Sequence, residues 1–191
     1  MYKYLLIIAC VGAIACNSVS DKTAFVSSWH YTLQTHNVNL DHNCQPLIYQ
    51  YQQLQKGVLS KDTHFINSVV NYTIQLTDSL ASLKLPLDSN LQKKWVDGLG
   101  NINAEYQGLL TTNLFENPQE FYMSLNMCSI QILNLLGEIG YKEQSIYIFN
   151  SKSDNTDDGY FWFGLQKNSR DPYKPEKRDL NNADQILQET K

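Results

Sequence analysis

Residues 117–140 read NPQEFYMSLNMCSIQILNLLGEIG. Phe121, Leu125, Cys128, Ile132, Leu135 and Ile139 recur at steps of three and four, the spacing that lines one face of an α-helix. Asn117-Pro118-Gln119-Glu120 is a start signal: an asparagine side chain caps free amides, proline fits a first turn, and Glu120 completes a capping-box pattern. Gly140 supplies the stop. The spacing predicts one helix here, with Cys128 pointing into a core.

The segments on the N-terminal side repeat the pattern. Leu91, Trp95, Leu99, Ile102, Tyr106 and Leu109 follow Asp88-Ser89, where a side-chain oxygen can cap the first turn. Gly98, Gly100 and Gly108 weaken that helix by up to about 1 kcal/mol each relative to alanine, unless close helix packing offsets the cost. In residues 60–84, Phe65, Val69, Tyr72, Leu76, Leu80 and Leu83 form a stripe that Pro86 ends. A shorter helix is expected over residues 46–56, opened by Pro46, with Leu47, Tyr51 and Leu54 inward and Gly57 closing it. Residues 39–45 read as a break, and before them Val26, Trp29, Leu33, His36 and Leu40 line one more amphipathic helix within residues 18–40.

After Gly140 the period shortens to that of strands. Residues 145–149 (SIYIF) and 160–163 (YFWF) are β-branched and aromatic runs separated by a polar loop, a hairpin pattern that must lie against the bundle because two strands alone are marginal. Four consecutive aromatics cannot all face one core, since strand side chains alternate. Either both faces are covered, or Tyr160 and Trp162 are available to a partner or a membrane. From Lys167 onward the chain is polar and contains Pro172 and Pro175, which predicts a mobile tail with at most one helical turn around Ile186 and Leu187. The expected fold is therefore mainly α, a four- to five-helix bundle with a C-terminal β-hairpin and a polar, flexible tail. Its divisions are residues 1–15, a signal peptide; 16–140, the bundle; 141–166, the hairpin; and 167–191, the tail.

Composition agrees with one packed domain. At 191 residues, with 42% hydrophobic and 18% charged side chains, the chain can bury a core and is not of the wholly disordered class. A net charge of −4 leaves no cationic surplus for a nucleic-acid backbone, so nucleic acid is excluded as an expected partner. Mean hydropathy is −0.38, with much of the polarity coming from asparagine and glutamine, side chains that do little acid–base chemistry by themselves.

The first residues, MYKYLLIIACVGAIACNSVS, carry an address. Lys3 precedes an apolar run over residues 5–15, too short for the roughly 20 residues that cross a bilayer. The run ends Ala13-Ile14-Ala15-Cys16, which resembles the lipobox of bacterial lipoprotein precursors, with Ala13 where leucine is usual. Ile7-Ile8-Ala9-Cys10 is a second match, but its apolar segment is too short for a signal core. The resemblance implies cleavage before Cys16, lipidation of its thiol with acyl chains such as palmitate, and attachment to a membrane. Asn17 is not the aspartate associated with inner-membrane retention, which implies the periplasmic face of the outer membrane; an ordinary cleaved signal peptide would give a secreted soluble protein instead. With Cys10 removed and Cys16 lipidated, Cys44 and Cys128 have only each other in an oxidising compartment, and a Cys44–Cys128 disulfide is expected, the other reading being two buried thiols.

No pattern with a defined chemistry stands out in the remainder. His30, His36, His42 and His64 are the histidines, and His36, His42 and Cys44 match no compact zinc spacing, so no metal is expected. Asp154, Thr156, Asp158 and Gly159 resemble the opening of an EF-hand loop, but the twelfth position is Leu165 rather than glutamate. Asn71-Tyr72-Thr73 fits the glycosylation acceptor pattern. G-x-S-x-G, phosphate-loop and haem-attachment patterns are missing, so no catalytic residue and no cofactor is assigned. The expected function is that of a lipid-anchored envelope lipoprotein, not an enzyme, binding other envelope proteins as an accessory or scaffold. The alternatives are a periplasmic inhibitory, immunity or ligand-binding lipoprotein, and after them a small envelope hydrolase.

Overall fold

The computed structural model describes residues 38–151 and 159–188. They form α1 (Val38–Ser60), α2 (Thr63–Ala81), α3 (Ser89–Thr111), α4 (Pro118–Glu138), β1 (Ile146–Ser151), β2 (Tyr160–Gly164), β3 (Asn168–Arg170), β4 (Leu180–Asn182) and β5 (Gln185–Gln188). The described residues are mainly α, with four helices followed by small antiparallel sheets. The helix expected within residues 18–40 lies outside the described residues up to residue 37.

The starts of α2, α3 and α4 are capped by side chains. Asp62 accepts from the Phe65 amide at 2.9 Å, Asp88 from the Leu91 amide at 2.9 Å, and Asn117 from the Glu120 amide at 3.3 Å. Glu120 returns not to the backbone but to the Asn117 side-chain amide, at 2.7 Å. Gly140, at φ 66°, ends α4 as expected, and the Tyr141 amide donates to the Leu136 carbonyl behind it.

Two expectations in the first half of the bundle need correction. Residues 39–45 do not break a helix, and Pro46 does not open one; α1 runs through an exposed Pro46 from Val38 to Ser60. Leu40, Cys44, Leu47, Tyr51, Leu54 and Val58 are all buried along it, so the apolar seam outweighs the loss of one backbone bond. Gly57 lies inside that helix, and the turn is made by Lys61, held at φ 56°. On α2 the buried face is Ile66, Val69, Val70, Thr73, Thr77 and Leu80, while Phe65 and Tyr72 are exposed, as is Leu83 just past the end of the helix. The threonines explain the difference: Thr73 donates to the Val69 carbonyl and Thr77 to the Ile74 carbonyl, so each presents its methyl to the core with its hydroxyl already satisfied. The stripes read on α3 and α4 are buried throughout.

Helices α1 to α4 pack in sequence order, and α1 barely meets α4 directly. The sheet β2-β1-β5 fills that gap, with Phe149 opposite Trp162 and Ser151 opposite Tyr160. Phe163 stacks on Tyr51 of α1, ring centroids 4.1 Å apart. The segment expected as a structureless tail carries three strands. β3 and β4 pair with each other, then the chain changes partner: the Ala183 amide donates to Lys167 and the Asp184 amide to Ile148, after which β5 runs along β1. The helical turn expected at Ile186 and Leu187 is thus a strand.

Candidate functional site

The aromatic hairpin is the feature the sequence singled out, and the structure covers both of its faces. Trp162 is fully buried; it stacks on Phe149 with centroids 5.0 Å apart and meets Tyr173 edge-on. Tyr160, half-buried, stacks on Tyr173 at 4.7 Å, and Tyr122 of α4 closes the cluster from the side. The partner-binding face expected at Tyr160 and Trp162 is therefore corrected: the chain's own residues 171–173 occupy it, because the polar segment folds back over the sheet.

The free edge of β2 is closed as well. The Phe161 amide donates to Asn126 Oδ1 at 2.7 Å, the Phe161 carbonyl accepts from the Tyr173 hydroxyl at 2.8 Å, and the Phe163 carbonyl accepts from Gln55 Nε2 at 2.8 Å. Side chains from two helices and a loop thus substitute for a neighbouring strand and block edge-to-edge pairing. Asn126 and Gln55 were not singled out in the sequence; the only signal is an amide beside an otherwise apolar helix face.

Below Tyr173 lies a buried carboxylate. Asp171 accepts from Ser151 Oγ at 2.5 Å and from the Tyr173 amide at 2.9 Å. Burial nevertheless raises its pKa above the ordinary carboxylate value, outweighing those two bonds and the charges of Lys174 and Lys177. Burial, helped by the Glu176 and Asp171 charges, also raises the Tyr122 phenol, which stays neutral and can only donate or accept hydrogen bonds near neutral pH.

A second polar group sits in the bundle centre. Tyr51 donates to Ser129, which in turn donates to the Leu125 carbonyl at 3.0 Å. The Tyr106 hydroxyl is buried and has no hydrogen-bond partner among the described residues. Cys128 is buried next to Ser129, and Cys44 is buried elsewhere on α1; both are free thiols, so the expected Cys44–Cys128 disulfide is not formed. The geometry explains why. Asp41 bonds the Lys142 amide and Tyr51 meets Ser129, which sets α1 antiparallel to α4 and brings Cys128 level with Tyr51. Cys44 is then about 10 Å away along the axis, whereas bridged cysteines need Cα atoms within about 7 Å. Burial, reinforced by Asp41 at Cys44 and by Glu105 at Cys128, pushes both thiols up, which keeps them protonated and poorly nucleophilic.

Cys16, His30 and His36 lie outside the described residues, as does most of the EF-hand-like loop, residues 152–158. His42 and His64 are exposed, and among the described residues no group of three His, Cys, Asp or Glu side chains is placed to share a cation. Asn71 is exposed on α2, but Thr73 of its acceptor triplet is buried. Among the described residues, a solvent-facing groove of about 280 Å³ between α3 and α4, lined by Lys94, Asp97, Asn101, Asn134 and Glu138, is mainly polar, while a more open one of about 580 Å³ between Tyr147, Lys167, Asn182, Gln185 and Ile186 is of mixed character. Comparison with family models, with curated proteins and with solved structures finds no match to this chain.

Proposed function

We propose that this protein is a lipid-anchored lipoprotein of a bacterial envelope, attached through Cys16 and acting as a protein-binding accessory or scaffold at the periplasmic face of the outer membrane. The observation that carries the reading is the sequence Lys3, the apolar run over residues 5–15, and Ala13-Ile14-Ala15-Cys16. Attachment by acyl chains would need no spanning helix, and none of the described helices is long and apolar enough to cross a membrane. For the binding role, support comes from the outer face of α4, where Met123 and Met127 are exposed one turn apart. Methionine adapts its shape to a partner at little cost, and such surfaces are common where proteins dock.

Cys16→Ser should abolish incorporation of labelled palmitate and release the protein from membranes; a variant that still labels and sediments with membranes overturns the anchor. For the binding role, a photo-crosslinking amino acid at Met123 should trap discrete envelope proteins in intact cells, while one at the exposed polar Gln75 should not. Equal trapping at both positions would remove the scaffold reading.

A further inference from the structure

Side chains alternate along β1 and β2, and Phe163 of β2 stacks on Tyr51 of α1, so one face of this sheet looks into the helices. Tyr147, Phe149 and Ser151 stand on the opposite face, with Tyr160 and Trp162 beside them on β2. Residues 171–173 cover one end of that face: Asp171 bonds Ser151, and Tyr173 packs on Trp162 and Tyr160. At the other end stand Tyr147 and Ile186, register partners on β1 and β5. They floor the open groove of about 580 Å³. Tyr147 is half-buried, Ile186 is 40% exposed, and Gly164, the partner of Tyr147 on its other side, has no side chain to lay over the ring.

The walls of the groove are carboxamides. Asn168 and Asn182 are paired across β3 and β4, so both side chains leave the same face of that ladder, and they line the groove together with Gln185. Each carboxamide offers two N–H donors and a carbonyl acceptor in one plane. The backbone that carries them is already fixed: the Ala183 amide donates to the Lys167 carbonyl at 2.9 Å, the Asp184 amide to the Ile148 carbonyl at 2.8 Å, and the Asn150 amide to Asp184 Oδ2 at 2.7 Å. Lys167 and Asp184 also line the groove, one charge of each sign, which leaves no net field to favour an ionic ligand. Small-ligand sites combine an apolar lining with a few placed polar groups. Here the lining is an aromatic ring with an aliphatic neighbour, and the polar groups both donate and accept. A ligand that fits has a flat C–H face and an edge of hydroxyls, and a pyranose ring has both.

We infer that the groove over Tyr147 and Ile186 binds a neutral saccharide, with one sugar ring stacked on Tyr147 and its hydroxyls held by Asn168, Asn182 and Gln185. Because the groove is open rather than enclosed, it suits a ring within a longer glycan whose neighbouring sugars continue into solvent. The inference goes beyond the scaffold reading and stands whether or not Cys16 carries lipid.

Calorimetric titration of the full chain with chitotetraose and with cellotetraose tests it. At least one of the two should bind saturably with a Kd of about 1 mM or tighter. Chitotetraose alone would assign N-acetylated sugars, cellotetraose alone plain hexoses. Tyr147→Leu keeps an apolar side chain against the sheet while removing the ring, and should weaken binding at least tenfold; Tyr147→Phe should bind within about twofold of wild type, since the ring face is kept. Asn168→Ala with Asn182→Ala, both at exposed positions, should weaken binding at least tenfold with the melting temperature unchanged, whereas Asn101→Ala with Asn134→Ala, in the groove between α3 and α4, should leave it intact. No binding of either glycan, unchanged binding in Tyr147→Leu, equal losses in the two asparagine pairs, or equally tight binding of an uncharged, end-capped peptide of alanine and asparagine would each overturn the inference; the peptide result would assign the groove to an extended protein segment.

Discussion

Two tyrosines of the same core make opposite contributions. The Tyr51 hydroxyl donates to Ser129, whereas that of Tyr106 is desolvated with no partner among the described residues. A satisfied hydrogen bond contributes about 1 kcal/mol net, while a buried unsatisfied group costs roughly 1–3. Tyr51→Phe should therefore lower stability by about 1 kcal/mol and Tyr106→Phe should raise it by a similar amount, read from urea midpoints at constant m. Equal losses in both variants would show that Tyr106 also has a partner. Asp171 gives a prediction in pH. Its folded-state pKa is raised from the ordinary 3.8, so at pH values between the two the native state holds a proton that the unfolded chain has released. Its contribution is fully present below that value and is lost as pH rises through the folded pKa. Asp171→Asn keeps an acceptor for the Tyr173 amide and removes the titration. Between pH 3 and 7 the wild-type midpoint should fall relative to the variant, and a constant difference would place the pH dependence elsewhere.

At the scale of the element, glycines separate intrinsic propensity from packing. Gly98 and Gly100 are neighbours on α3, yet a Cβ on Gly98 would lie 2.8 Å from Leu135 Cδ1, while nothing stands within 4 Å of one on Gly100. Gly100→Ala should stabilise by up to about 1 kcal/mol through helix propensity alone. Gly98→Ala must push a buried Leu135 methyl aside and should gain less or lose stability; thermal melts of the two variants check the contrast. The stripe read from periodicity on α2 is rotated by about 70° from the buried face, sharing Val69 and Leu80 with it, because periodicity counts Phe65 and Tyr72 as core and threonine as polar. Only α1 and α3, packed on either side of α2, decide which of two adjacent faces is enclosed. The helix through Pro46 has a similar origin: local chemistry favours a start there, and burial of Leu40 and Cys44 before it overrides that preference.

For the whole molecule, the hairpin and the polar segment after it act as the closing side of the bundle. Trp162→Ser with Tyr160→Ser should cost several kcal/mol, since truncating a fully buried aromatic typically costs roughly 3–5. A melting temperature close to wild type would return these residues to the surface. Closure also assigns the amides: Asn126 and Gln55 hold the β2 edge because α4 and α1 flank it, a relation between residues distant in the chain.

The caps at Asp88 and Asn117, the stop at Gly140, the seams of α3 and α4 and the two aromatic strands all follow from the amino-acid sequence, because each rests on spacing within one element. The signal-like opening and Ala13-Ile14-Ala15-Cys16 are likewise local patterns. Tertiary structure decided what depends on distance across the chain. It holds Cys44 and Cys128 apart, since antiparallel α1 and α4 place them at different heights. It buries Trp162 beneath Tyr173, and it turns residues 185–188 of the polar segment into a strand, since β1 offers a free edge that a segment rich in asparagine and glutamine can pair with through its backbone alone.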